Sequence, residues 1–158
     1  MRRLSILLAA ILIVGCARRG SLDTPTPVAC PAATVPGVDW HDERILGFTV
    51  RLPPGFVRES GIYCEHGGEQ YVRGRDRVGY CMAQFPPSGI TRRAPGEEVF
   101  SLFGRESVLH CVRRGRGWSA YIIPIGPIDY MQLTVEASSR ATLADLLGAL
   151  QSAPASKP

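Results

Sequence analysis

Lysine is nearly missing from this chain of 158 residues: of its 18 basic side chains, only Lys157 is not arginine. Arginine abundance alone identifies no partner, because charge steers binding only where it clusters in space. Histidine is scarce as well, with His41, His66 and His110 the full set. No glycine-rich loop of the form GxxxxGK or GxGxxG precedes a helical pattern, which removes the usual phosphate cradles. GxSxG is missing, so no nucleophile elbow is written in the chain. The cysteines, at 16, 30, 64, 81 and 111, form no CxxC pair. That spacing argues against thiol exchange and against an ordinary structural zinc site. No apolar run reaches the length of about 20 residues that a membrane-spanning helix needs.

The longest apolar stretch is Leu4 to Val14, in MRRLSILLAAILIVGC. As a helix it would span about 16 Å, half of a hydrocarbon core. Arg2 and Arg3 in front, the apolar run and small residues at its end describe a secretory signal segment. Ile13, Val14, Gly15 and Cys16 resemble the lipobox of bacterial lipoproteins. The resemblance implies cleavage before Cys16, a diacylglycerol thioether on Cys16 and an acylated new amino terminus. It covers the first sixteen residues only. Ala17 follows the cysteine where Asp would resemble an inner-membrane retention signal, which favours the outer membrane, facing periplasm or surface, if the organism is diderm.

Removing residues 1–15 takes away Arg2 and Arg3 and no acidic residue, so a formal charge of +4 becomes +2. Export places the four remaining cysteines in an oxidising compartment, where the even count predicts up to two disulfides. Three pairings are open; Cys64 with Cys81 and Cys30 with Cys111 are preferred.

Residues 16–39 are rich in Pro, Ala and Thr and keep neither a helical nor a strand period, as expected of a lipidated tether. If Cys30 is bonded, the second half of that tether is pinned against the domain. Residues 40–151 read as one domain, and 152–158, SAPASKP, as a disordered tail. Within the domain, alternation predicts strands over 46–52, 61–66, 69–73, 78–85, 107–113, 118–123 and 131–137. Glu97 to Phe103 is expected to be a short helix with Val99, Leu102 and Phe103 on one side. Leu143, Leu146, Leu147 and Leu150 form the stripe of a terminal helix capped by Ser138 or Ser139. The sum is an α+β domain: a mainly antiparallel sheet of about six strands with the C-terminal helix packed on one face, a two-layer sandwich.

The functional expectation is a membrane-anchored envelope lipoprotein with a non-catalytic binding or scaffolding domain. Arg73, Arg75 and Arg77 surround one turn, Arg92 and Arg93 sit in a loop, and Arg113, Arg114 and Arg116 surround another. If the turns share one end of the sheet, they make a basic rim for an anionic ligand. The partners are then the membrane, through lipid on Cys16, and an envelope protein or anionic polymer; the compartment excludes nucleic acid. Trp118, Tyr121 and Tyr130 flank a rigid Pro124 to Pro127 connection, where core packing outweighs a peptide groove. The rival expectation is a small hydrolase or metal-binding protein using His66, His110 and nearby carboxylates. His41, within DWHDE, reads as part of a solvated edge. No catalytic residue, metal ligand or cofactor is assigned.

Overall fold

The computed structural model describes residues 25–60, 67–82, 98–124 and 131–154. Among them, in chain order, are β1 (Thr26–Val28), β2 (His41–Ile45), β3 (Phe48–Leu52), β4 (Val57–Glu59), β5 (Gly68–Arg73), β6 (Asp76–Met82), β7 (Glu98–Leu102), β8 (Arg105–Arg114), β9 (Gly117–Pro124), β10 (Met131–Ala137) and α1 (Arg140–Gln151). The architecture is α+β, mostly antiparallel strand with one C-terminal helix. The strand count exceeds the expected six: the larger sheet has eight strands and a second sheet has two.

Two meanders build the larger sheet. One is β4, β5 and β6; the other is β7, β8, β9 and β10, and β10 closes the sheet by pairing with β6. The long strand β8 carries two partners on its outer edge. β7 pairs along Arg105 to Leu109, and β1 pairs along Cys111 to Arg113. Pro27 is tolerated in β1 because an edge strand can spare one ladder N–H. β2 and β3 form a separate hairpin.

Three strands escaped the sequence reading for local reasons. β1 contains a proline, β4 has three residues, and β2 reads HDERI, where charge hides the period until Ile45 is buried. The expected helix over 97–103 is a strand instead, β7. Phe100 and Leu102 are buried while Val99 and Ser101 are exposed, a period of two. Apolar residues at 99, 102 and 103 fit a helix as well, and so short a run cannot decide between them. The chain behind it decides: Phe103 and Gly104 take φ of 53° and 75°. That is the two-residue turn that folds a strand back onto its neighbour. Leu46 and Gly47, with φ of 55° and 80°, repeat the device between β2 and β3, which is why the expected strand over 46–52 begins only at Phe48.

One face of the larger sheet carries the core. Tyr71, Val78, Val135, Ala120 and Cys111 lie in one cross-strand row, and Leu133, Ile122 and Leu109 in the next. Leu143, Leu146, Leu147 and Leu150 of α1 are fully buried in the same cluster. Each such burial stabilises by about 1.5–3 kcal/mol. Ser139 caps the helix, its hydroxyl accepting from the Thr142 N–H at 3.0 Å.

The helix touches β10, β9, β7 and β3, and a strap crosses its other side. The Thr34 N–H donates to the Ala144 carbonyl at 3.0 Å, and Pro31 is buried. Cys30, bonded to Cys111 with their Cα atoms 5.3 Å apart, anchors the start of this strap. The condition attached to Cys30 in the sequence is therefore met. Cys81 is also disulfide-bonded; Cys64, expected as its partner, lies outside the described residues. So do the expected strand over 61–66, Cys16, His66, Arg92, Arg93 and Tyr130.

Candidate functional site

Register places the two arginine-rich turns at the same end of the larger sheet. Glu136 of β10 lies opposite Arg77 of β6 on one side and Ser119 of β9 on the other, while Ala137 lies opposite Trp118, and Trp118 opposite Arg113. The Gly74-Arg75 turn and the Gly115-Arg116 turn therefore close the same edge. From β5 to β8 this edge crosses four strand spacings, about 19 Å. Both turns open on a glycine with positive φ, 60° at Gly74 and 54° at Gly115, the backbone that a tight hairpin requires at its first central residue.

The arginines here divide into two kinds. Arg73 is engaged: it donates to Asp76 at 3.1 Å and to the Pro54 carbonyl at 3.3 Å, and its guanidinium lies 4.7 Å from the Phe56 ring centre. Arg113 is partly engaged, donating to the Gly115 carbonyl at 3.0 Å and lying 5.7 Å from the Trp118 ring centre. Arg75, Arg77, Arg114 and Arg116 are exposed and make no ion pair among the described residues. Arg140, which sequence reasoning did not single out, joins them, because α1 starts where β10 ends. Its place is visible only once β10 and α1 are known to meet at this edge.

On the strands of the larger sheet, the carboxylates at this end are Asp76 and Glu136. Asp76 is buried. Burial alone would raise its carboxyl, but the Ser138 N–H, the Ser138 hydroxyl and the Arg73 guanidinium together hold it below the ordinary value. Asp76 thus neutralises Arg73 and no other. Glu136 is exposed opposite Arg77. Glu59, Glu69 and Glu106 lie towards the other end of their strands, Glu69 paired with Arg58 and Glu106 next to the exposed Arg105.

The aromatic and histidine candidates are dispersed. Trp118 packs against the core, whereas Tyr121 lies on the opposite face, next to His110 across β8 and β9. His110 is exposed. His41 sits 3.2 Å from the Phe56 carbonyl and 3.5 Å from Glu43. Among the described residues, no three of His, Cys, Asp and Glu come together as metal ligands. No helix among them is long and apolar enough to cross a membrane.

A cleft of about 590 Å³ opens between the β2–β3 hairpin and strands β4 and β5. It was not foreseen, because it joins 42–49 to 58–71 only through tertiary packing. Asp42, Glu43, Arg44, Arg58, Glu69 and Tyr71 line it. Much of that polarity is spent internally. Arg58 pairs with Glu69, and the Tyr71 hydroxyl donates to the Arg44 carbonyl at 2.6 Å. Burial, followed by the Glu43 and Glu69 carboxylates, raises the Tyr71 hydroxyl above its ordinary value. It stays a donor at neutral pH and ties the hairpin to the sheet.

No family model, curated protein or solved structure matches the chain, so function rests on the chemistry of the site alone.

Proposed function

We propose that the chain is an envelope lipoprotein, held to a bacterial membrane by lipid on Cys16, whose domain binds or scaffolds an anionic partner without chemistry of its own. The observation that carries the binding half is the shared end of the two arginine turns. Arg75, Arg77, Arg114, Arg116 and Arg140 are spread along it, against Glu136 and an Asp76 already engaged by Arg73. Guanidinium groups on short, rigid turns suit phosphate and carboxylate, because the planar fork matches their oxygens. In this reading the helix and the β2–β3 hairpin form the second layer of a two-layer sandwich, and the layer stiffens the strands that present the turns.

The lipoprotein half is carried by Ile13, Val14, Gly15 and Cys16 behind a basic, apolar leader. Localisation at the outer membrane, facing periplasm or surface, follows from the same segment in a diderm organism. Two measurements test the proposal. Replacing Cys16 with Ser and fractionating cells should abolish processing and membrane retention; unchanged behaviour removes the anchor. Passing the chain over immobilised polyglutamate should show retention at low salt that Arg75→Ser, Arg114→Ser and Arg116→Ser together abolish. Equal retention of the triple variant removes the basic end as the binding surface.

A further inference from the structure

The point at which the chain enters the domain adds a fact about the basic end. Thr26 of β1 lies opposite Arg113 of β8, and the strand then runs away from the turns, with Val28 opposite Cys111. The segment leading back to Cys16 therefore leaves the domain at the edge where the free arginines cluster. Pairing with β8, the Cys30–Cys111 bond and the strap over α1 fix this exit. Cys16 and Thr26 are ten positions apart; fully extended, the chain between them reaches at most about 35 Å. As a flexible chain it would hold the ends about 17–19 Å apart. The shorter, flexible-chain distance keeps the exit edge nearest to whatever holds Cys16.

We infer that the basic end is a membrane-docking face: Arg75, Arg77, Arg114, Arg116 and Arg140 rest on the anionic headgroups of the bilayer to which Cys16 is attached. The inference rests on the lipid anchor proposed above and names the partner of that site. Three observations make the bilayer the occupant. The arginines are spread along an edge of about four strand spacings, whereas a small anion needs converging donors. Its charge is predominantly positive, since Arg73 consumes Asp76 and Glu136 is the one exposed carboxylate on the strands of the larger sheet at this end, among the described residues. The tether emerges at its corner, beside Arg113, so an anchored chain keeps this edge within tether reach of the surface, from where it can enter the Debye length of about 10 Å in which headgroup charge is felt. Between Cys16 and Thr26 the sequence holds Arg18, Arg19 and Asp23, a formal charge of +1. The domain then stands with its strands raised from the membrane, the Phe103-Gly104 turn and the start of β5 at the far end, and the cleft lined by Tyr71 open at its side.

The experiment is amide hydrogen exchange on the full chain, purified from the producing cells and reconstituted into vesicles. One set is phosphatidylcholine alone, the other one-third phosphatidylglycerol. The expected result is slowed exchange at 74–77 and 114–117 on the anionic vesicles only, reversed by 0.5 M salt, with 67–68 and 103–104 unchanged. Arg75→Ser, Arg114→Ser and Arg116→Ser together should abolish that slowing. Three headgroup contacts amount to about a hundredfold in the docked-to-free ratio. The three Lys replacements should largely keep it. Exchange that is the same on both vesicle types overturns the inference, as does protection at 103–104 or lost protection in the Lys variant. The anchor is read separately. A Cys16→Ser chain that stays in the membrane fraction faults the anchor, whereas lipid-independent turns in the retained wild type fault the docking.

Discussion

Asp76 accepts two hydrogen bonds from Ser138, one from its N–H and one from its hydroxyl, both at 2.7 Å. The two residues are 62 positions apart, and their contact ties the β5–β6 turn to the junction of β10 and α1. The arginine edge and the start of the helix are thereby one rigid unit. A buried carboxylate with charged and neutral donors is costly to disturb, because the donors stay buried when the acceptor changes.

Asp76→Asn should therefore destabilise the fold by about 1–3 kcal/mol at pH 7. The pH dependence has a definite sign. The folded carboxyl lies below its ordinary value of 3.8, so its contribution is fully present above about pH 4 and is lost as pH falls through the lower folded value. Denaturant melts of wild type and variant between pH 7 and pH 2 should show a gap that closes in acid. A gap of constant size would show that charge plays no part in this contact.

Gly148→Ala tests the strap. Alanine in a helix interior is better than glycine by about 1 kcal/mol. Here, however, a Cβ would lie 1.7 Å from the Thr34 carbonyl oxygen, so the strap or the helix must move. The expected net effect is a loss of about 1–3 kcal/mol, read as a lowered midpoint in urea. A variant more stable than wild type would mean that the strap does not sit on the helix.

How much of this was legible in the sequence depends on where the period came from. β10 and α1 could be read because each buries one face along its whole length: Leu133 and Val135 alternate, and Leu143, Leu146, Leu147 and Leu150 recur on one helical side. The β8–β9 hairpin could be read because a glycine turn separates two apolar runs. β7 could not, because Val99, Leu102 and Phe103 satisfy a helix until the positive φ of Phe103 is known. The arginine turns were legible one at a time. Their meeting was not, since it depends on β10 inserting between β6 and β9, a pairing no local pattern encodes. The cleft around Tyr71 had no sequence signal at all, for HDERI looks like a solvated edge.

Removing the Cys30–Cys111 bond by the double replacement Cys30→Ala and Cys111→Ala should lower stability by about 4.5 kcal/mol in the chain-entropy account, given a sequence separation of 81. The loss should be local in its dynamics. Exchange should quicken at Thr26, Val28 and Thr34 while β9 and β10 keep their order of protection. Because the bond holds the strap over Gly148, the cost of Gly148→Ala should shrink in this background, a coupling that a double-mutant cycle measures. Strict additivity would separate the bond from the strap.

Phe103 carries the last prediction. It sits at the first central position of the β7–β8 turn with φ of 53°, a backbone that bulky side chains rarely adopt. Its ring stacks on Phe48 with centres 4.2 Å apart and planes 4° from parallel. Phe48 begins β3 directly after the sister turn at Leu46-Gly47, so the stacked rings join the β2–β3 hairpin to the far end of the larger sheet. Phe103→Asn sets the two effects against each other. Asn-Gly is the preferred pair for such a turn, which favours the variant, while loss of a buried ring disfavours it by about 3–5 kcal/mol. The ring term is the larger, so a net loss of about 2–4 kcal/mol is expected in thermal or urea melts. A neutral or stabilised Phe103→Asn would mean that the hairpin is held by the Tyr71 hydroxyl and the buried face of β3 alone. Tyr71→Phe in the same background would then carry the full cost of releasing it.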